Sequence, residues 1–149
     1  MNTSAVPEPR APSTSAPIAE RNDALKNFTE ASGRLLLAVL FLLSGVGKLG
    51  AYKATAAYRA SVGVPGALLP AVIATELLGS LAIILGWKTR AVAFLLAGFS
   101  VLTALIFHNN FADQTQMIMF LKNISIAGGF LLLVANGAGP LSVDRRFAR

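Results

Sequence analysis

Six polar residues stand out because each lies within, or at the edge of, an apolar run: Arg34, Lys48, Glu76, His108, Lys122 and Asn123. Glu76 is central among them, a lone carboxylate inside AVIATELLGSLAIILGW. A charge at the middle of a membrane-crossing helix costs roughly 2.5–3.5 kcal/mol on insertion scales, so it needs a partner and marks a functional-site candidate. A carboxylate near an ammonium and an imidazole can bind a polar head, exchange protons with it, or only neutralise its neighbour in low dielectric.

The elements that must position these groups follow from composition. The chain of 149 residues is 54% hydrophobic and 13% charged, where a soluble domain carries about a quarter of its residues as charges. Its apolar residues gather into four runs, about 31–49, 67–87, 91–107 and 117–135. Each is apolar on most faces, which suits lipid and predicts an all-α membrane protein built as a four-transmembrane-helix bundle. The intervening stretch GAYKATAAYRASVGVPG predicts a short interfacial helix in the first outer loop, with Tyr52 and Tyr58 at headgroup level and Gly63, Pro65 and Gly66 ending it.

Only 13 uncharged residues separate Arg34 from Lys48, so both cations mark ends of the first span. Arg34, Ala38, Phe41, Gly45 and Lys48 share one face, expected to be the bundle interior. At about 1.5 Å per residue, Glu76 lies about 13 Å from the outer end of the second span and Lys122 about 8 Å into the fourth from the same side. Lys122 is therefore the expected counter-ion, with Lys48 and His108 at the outer ends of their helices. Two readings compete. In a structural knot, Glu76 and Lys122 neutralise each other, Asn123 bonds across helices and His108 is interfacial. In a pocket open to the outer face, the same groups bind a quinone carbonyl or an anion. A single histidine without cysteine gives no metal-ligand spacing, so no metal is expected.

Residues 1–27, with Pro7, Pro9, Pro12 and Pro17, predict a disordered tail that lacks the design of a secretory signal and stays attached. Residues 28–144 form the membrane domain and 145–149 a basic tail. Arg10, Arg21, Lys26, Lys88, Arg90, Arg145, Arg146 and Arg149 gather on one side against Lys53 and Arg59 on the other, which predicts cytoplasmic termini. The net charge of +6 is scattered as topology markers rather than gathered with aromatics, which argues against a nucleic-acid partner. The absence of cysteine excludes thiol catalysis and disulfides.

Arg34 with SGxxK (Ser44, Gly45, Lys48), Glu76 followed by LGW and TR (Leu85 to Trp87, Thr89, Arg90), His108, FLKNISIAGG and the ending GxGPLSVD (Gly137 to Asp144) together resemble the DoxX family of small four-helix bacterial membrane proteins. That family takes its name from subunits of a thiosulfate:quinone oxidoreductase. The resemblance implies an inner-membrane, four-span protein whose polar positions are Arg34, Lys48, Glu76, His108, Lys122 and Asn123. The first expectation built on it is a quinone-associated component of a membrane redox system, with the cofactor left open and a quinone as the candidate, and with other redox subunits or a homo-oligomer as partners within the bilayer. The alternative is a non-catalytic scaffold of a redox or envelope-integrity complex.

Overall fold

A computed structural model describes residues 16–147. The order is α1 (Ala16–Gly50), α2 (Tyr52–Ser61), a 3-10 turn at Gly66–Leu68, α3 (Leu69–Leu85), α4 (Thr89–Phe107), α5 (Gln114–Asn136) and α6 (Val143–Phe147). Four of these helices, α1, α3, α4 and α5, are long and apolar enough to cross a membrane, and no strand occurs among the described residues. The short α2 lies in the first inter-span connection, where the alanine-rich stretch predicts it.

The first helix differs from its expected start. It runs for 35 residues from Ala16, so 16–27, read from composition as a disordered tail, are helical, while 1–15 and 148–149 lie outside the described residues. After Pro17 no proline or glycine intervenes until Gly33, and AERNDALKNFTEA is rich in good helix formers. Pro17 falls in the first turn, where its missing N–H costs no hydrogen bond. Lys26 and Glu30 add an i,i+4 pair at 3.9 Å. At about 1.5 Å per residue the helix is about 50 Å long, well beyond the hydrocarbon thickness.

Around the bundle the order is α1, α3, α4, α5: α3 packs on α1 and α4, and α5 packs chiefly on α4. Phe41 on α1 meets Phe130 on α5 edge-on at 5.4 Å between ring centres and Phe99 on α4 at 6.2 Å, closing a core with Ala38, Ile83, Ala93, Leu96, Ala97 and Ala127. Alanines at the crossings let the helices approach closely, as packing in lipid requires. The order also sets α3 and α5 diagonally across the bundle. A residue on α3 therefore finds its nearest neighbours on α1 and α4.

Candidate functional site

Glu76 is 4% exposed and lies against α1, where Gly45 leaves room for it: a Cβ on Gly45 would stand 3.3 Å from the Glu76 Cβ and nearer still to the Leu77 side chain. One turn further along α1, Lys48 Nζ donates to Glu76 Oε1 at 2.8 Å. Lys48 also donates to Ser44 Oγ at 2.5 Å, and Ser44 in turn donates to Glu76 Oε1 at 3.2 Å. The SGxxK spacing thus sets a hydroxyl and an ammonium four residues apart on one helix face, both directed to one carboxylate oxygen. The other oxygen, Oε2, is buried and has no hydrogen-bond partner.

The pair stands at one end of a cavity of about 420 Å³. Its walls are mostly apolar: Leu68, Val72, Phe99, Leu102, Ile106 and Phe107 line it, with Thr55, Thr75 and Thr103 as neutral polar points. His108 reaches its rim and its Nδ1 lies 2.8 Å from Gln116 Oε1. Across one side runs α2, which contributes Tyr58 and Arg59. Arg59 is only 7% exposed, and its guanidinium lies over the Phe107 ring at 5.5 Å. Tyr58 stacks on the same ring at 6.0 Å. No carboxylate among the described residues forms a salt bridge with Arg59, and its Nε is buried without a partner.

Of the six residues singled out from the sequence, three therefore converge: Lys48, Glu76 and His108. Lys122 and Asn123 do not. Lys122 is exposed on the outward side of α5 beside Ile118, Leu121 and Ser125, and Asn123 Nδ2 donates to Met119 O of its own helix. The expected Glu76–Lys122 pair fails because depth and face alone do not fix helix order, and α5 stands diagonal to α3. Arg59 is the residue that sequence reasoning passed over, taken as a loop charge alongside Lys53. Its signal was local: Thr55, Tyr58, Arg59 and Val62 recur at helical spacing, and Lys53 falls off that stripe.

Arg34 belongs to a second centre at the opposite end of the bundle. Its guanidinium donates to Leu141 O at 2.5 Å and to Ile83 O at 3.4 Å, tying α1 to the end of α3 and to the chain after α5. That chain then returns across the α3–α4 turn. Asp144 accepts from the N–H groups of Lys88 at 2.6 Å and Thr89 at 2.8 Å, capping α4 from a distant part of the sequence, while its own N–H donates to Gly86 O at 2.9 Å. Burial pushes the Asp144 carboxyl upward, but the hydrogen bonds from Thr89 and Lys88 and the charge of Arg34 outweigh it and hold it below the ordinary value. Gly86 sits at φ 67°, and a Cβ there would run into Arg34 and Ser142.

Comparison with known proteins places the chain. The DoxX family model matches residues 31–109, just over half of its length. The chain belongs to the DoxX family. It is 48% identical over 112 residues to inner membrane protein YqjF of Escherichia coli (strain K12), covering 75% of this chain and 86% of that one. With inner membrane protein YphA of the same organism it shares 39% identity over 121 residues, covering 76% and 86% respectively. No solved structure matches. Within this DoxX protein the matched region contains Arg34, Ser44, Lys48, Arg59, Glu76 and His108 and ends before Lys122 and Asn123.

Proposed function

We propose that this DoxX protein is an inner-membrane component of a redox system that binds the head of a lipid-soluble quinone in the α2-covered cavity. One observation carries the reading: a buried carboxylate, half satisfied by Lys48 and Ser44, lines an otherwise apolar cavity of about 420 Å³, a size in the range of small-molecule sites. An apolar ring fits walls of leucine, isoleucine and phenylalanine, and its oxygen substituents fit the few polar groups that converge there. Lys48 and Arg59 supply donors, Glu76 an acceptor, and His108 a group able to donate or accept at the rim. The bound quinone would supply two-electron, two-proton chemistry, while the protein orients the head, excludes water and holds compensating charges.

The supporting experiment is extraction and mass spectrometry of protein purified in mild detergent. A quinone present near one per chain, and lost in Glu76→Gln, supports the reading; empty parent protein that rebinds no quinone in nanodiscs overturns it.

A non-catalytic scaffold is the second reading, favoured by the outward side of α5. There Lys122 and Ser125 stand exposed within a span, as expected of a contact with another membrane subunit or a second copy. Cross-linking from Lys122 to a neighbouring chain supports it. In either case the proposed orientation has both termini cytoplasmic. Burial of Arg59 removes it from the loop charges and leaves the basic excess with Lys88, Arg90, Arg145 and Arg146. The native chain lacks cysteine, so Arg149→Cys labels cleanly, and labelling from outside the cell refutes this orientation.

A further inference from the structure

We infer that the cavity opens sideways into the bilayer between the α2-side halves of α3 and α4, so that its ligand enters from the membrane and leaves its alkyl tail in the opening. The inference rests on the quinone-binding reading above for the head, and adds the route of entry and the place of the tail.

The opening follows from how α3 and α4 diverge. The two helices are held together at the turn between them, where Asp144 caps α4 and its N–H bonds back to Gly86, and they remain close as far as Gly79 and Leu96. There a Cβ on Gly79 would stand 3.0 Å from the Leu96 side chain. One turn nearer α2 the space between the helices belongs to the cavity, lined by Thr75 and Glu76 from α3 and by Phe99 and Thr103 from α4. Accordingly α3 packs far more extensively on α1, and α4 on α5, than α3 and α4 pack on each other. The result is a wedge, closed by Lys48 of α1 on its inner side and by α2 at its end. Its remaining side has lips at Leu68, Ala71 and Leu102. Each of these lines the cavity and is also exposed on the outer surface of the bundle, Leu68 at 51% and Leu102 at 56%.

The chemistry of the lips decides which phase they face. Leu102 lies six residues before His108, about 9 Å along α4 from its end by helical rise and therefore within the span. Thr75, one turn from Ala71, turns its hydroxyl back onto its own helix and donates to Ala71 O at 2.9 Å, which satisfies it without water. A polar solute arriving from this side meets leucine and alanine, whereas an alkyl chain passes from lipid to lip with no change of environment. The cavity, at about 420 Å³, lies toward the small end of the range for small-molecule sites, so it accepts a ring with its substituents and a long tail has to leave it. Through the lateral mouth the tail leaves without losing apolar contact.

The test compares a tailed ligand with its bare head. Full-length protein in nanodiscs is equilibrated with decylubiquinone or with the same dimethoxy-methyl-benzoquinone head lacking the tail, and affinities are expressed against ligand concentration in the bilayer so that partitioning cancels. Ala71→Trp and Leu102→Trp each place an indole in the mouth, from opposite lips. Each is expected to weaken decylubiquinone at least about tenfold by crowding the tail, and to change binding of the bare head by no more than about twofold. Gly98→Trp puts the same bulk on α4 outside the cavity, where nothing lies within 4 Å of a Cβ, and should change neither. Decylubiquinone binding that either mouth variant leaves unchanged overturns the inference while leaving the quinone reading standing. Equal weakening of both ligands does so too, because it makes the lips part of the head site. Parent protein that binds neither ligand overturns the quinone reading and the inference with it. If one mouth variant fails to fold, the variant of the opposite lip decides.

Discussion

Replacing Lys48 with methionine removes the ammonium that neutralises Glu76 while keeping a side chain of similar length. At 2.8 Å and an effective dielectric constant of about 20, the lost attraction is about 6 kcal/mol before desolvation is counted. Desolvation of the ammonium offsets part of this, and the Lys48 side chain keeps 24% of its surface exposed, which weakens the pair further. What remains is an uncompensated carboxylate whose side chain is 5% exposed, the situation in which removing one partner costs about 3–5 kcal/mol. The exposure of Lys48 favours the lower end, so Lys48→Met is expected to destabilise by about 3 kcal/mol. Adding Glu76→Gln removes the stranded charge, and the double variant should return to within about 1 kcal/mol of the parent. The assay is reversible unfolding by SDS in mixed micelles followed by circular dichroism, with both single variants and the double variant closing a thermodynamic cycle. The control is Lys122→Met, which should change stability by no more than about 0.5 kcal/mol because Lys122 is exposed on α5. A coupling between positions 76 and 122 larger than that between 76 and 48 would refute the helix order on which the site rests.

Four further outcomes are expected. Asp144→Ala should cost about 1–2 kcal/mol by uncapping α4, read in the same unfolding assay. The Asp144 carboxyl lies below its ordinary value of 3.8 when folded, so its stabilisation is present above that value and fades as pH falls through the folded one. The stability gap between parent and Asp144→Asn should accordingly narrow only below pH 3.8. Gly86→Ala should cost about 2–3 kcal/mol, combining a left-handed backbone with collision against Arg34 and Ser142. Phe107→Leu removes the ring that Tyr58 and Arg59 both contact, so hydrogen exchange should quicken in α2 and stay unchanged in α3.

The sequence carries the spans because hydrophobic length alone decides them, and it carries the inward face of α1 because Arg34, Ala38, Phe41 and Gly45 recur at helical spacing and are all buried. It marks Glu76 because a carboxylate inside an apolar helix is costly wherever it points. What it does not carry is which helix stands beside which. Lys48 and Lys122 both lie at plausible depths for pairing with Glu76, and only the arrangement of α1 beside α3 with α5 across the bundle selects Lys48. The start of α1 escaped for another reason: Pro17 reads as a helix breaker in a proline-rich context but sits in the first turn, the one place where a helix tolerates it. Arg59 escaped because a basic residue in a short outer connection reads equally well as a topology marker and as a buried cation.

The two polar centres divide the bundle into ends of different character, and α1 connects them. At the C-terminal end, Arg34, Gly86 and Asp144 bind α1, α3, α4 and the returning chain through directional hydrogen bonds, with backbone groups as most of the partners. Such a network of directional bonds resists opening, although Arg34 Nε and Thr89 Oγ1 stay buried there without partners. At the α2 end the helices are joined by one ion pair, one hydroxyl and a stack of two side chains on Phe107, with a cavity between them and two buried polar atoms unsatisfied. Arg34 thus belongs to a clamp and Lys48, Glu76 and His108 to a site, while Lys122 and Asn123 belong to neither. The clamp fixes the separation of α1 and α3 at Arg34, about 17 Å along α1 from Gly45 and about 21 Å from Lys48 by helical rise. Glu76 and Arg59, which the clamp does not use and the core does not need, both line the cavity.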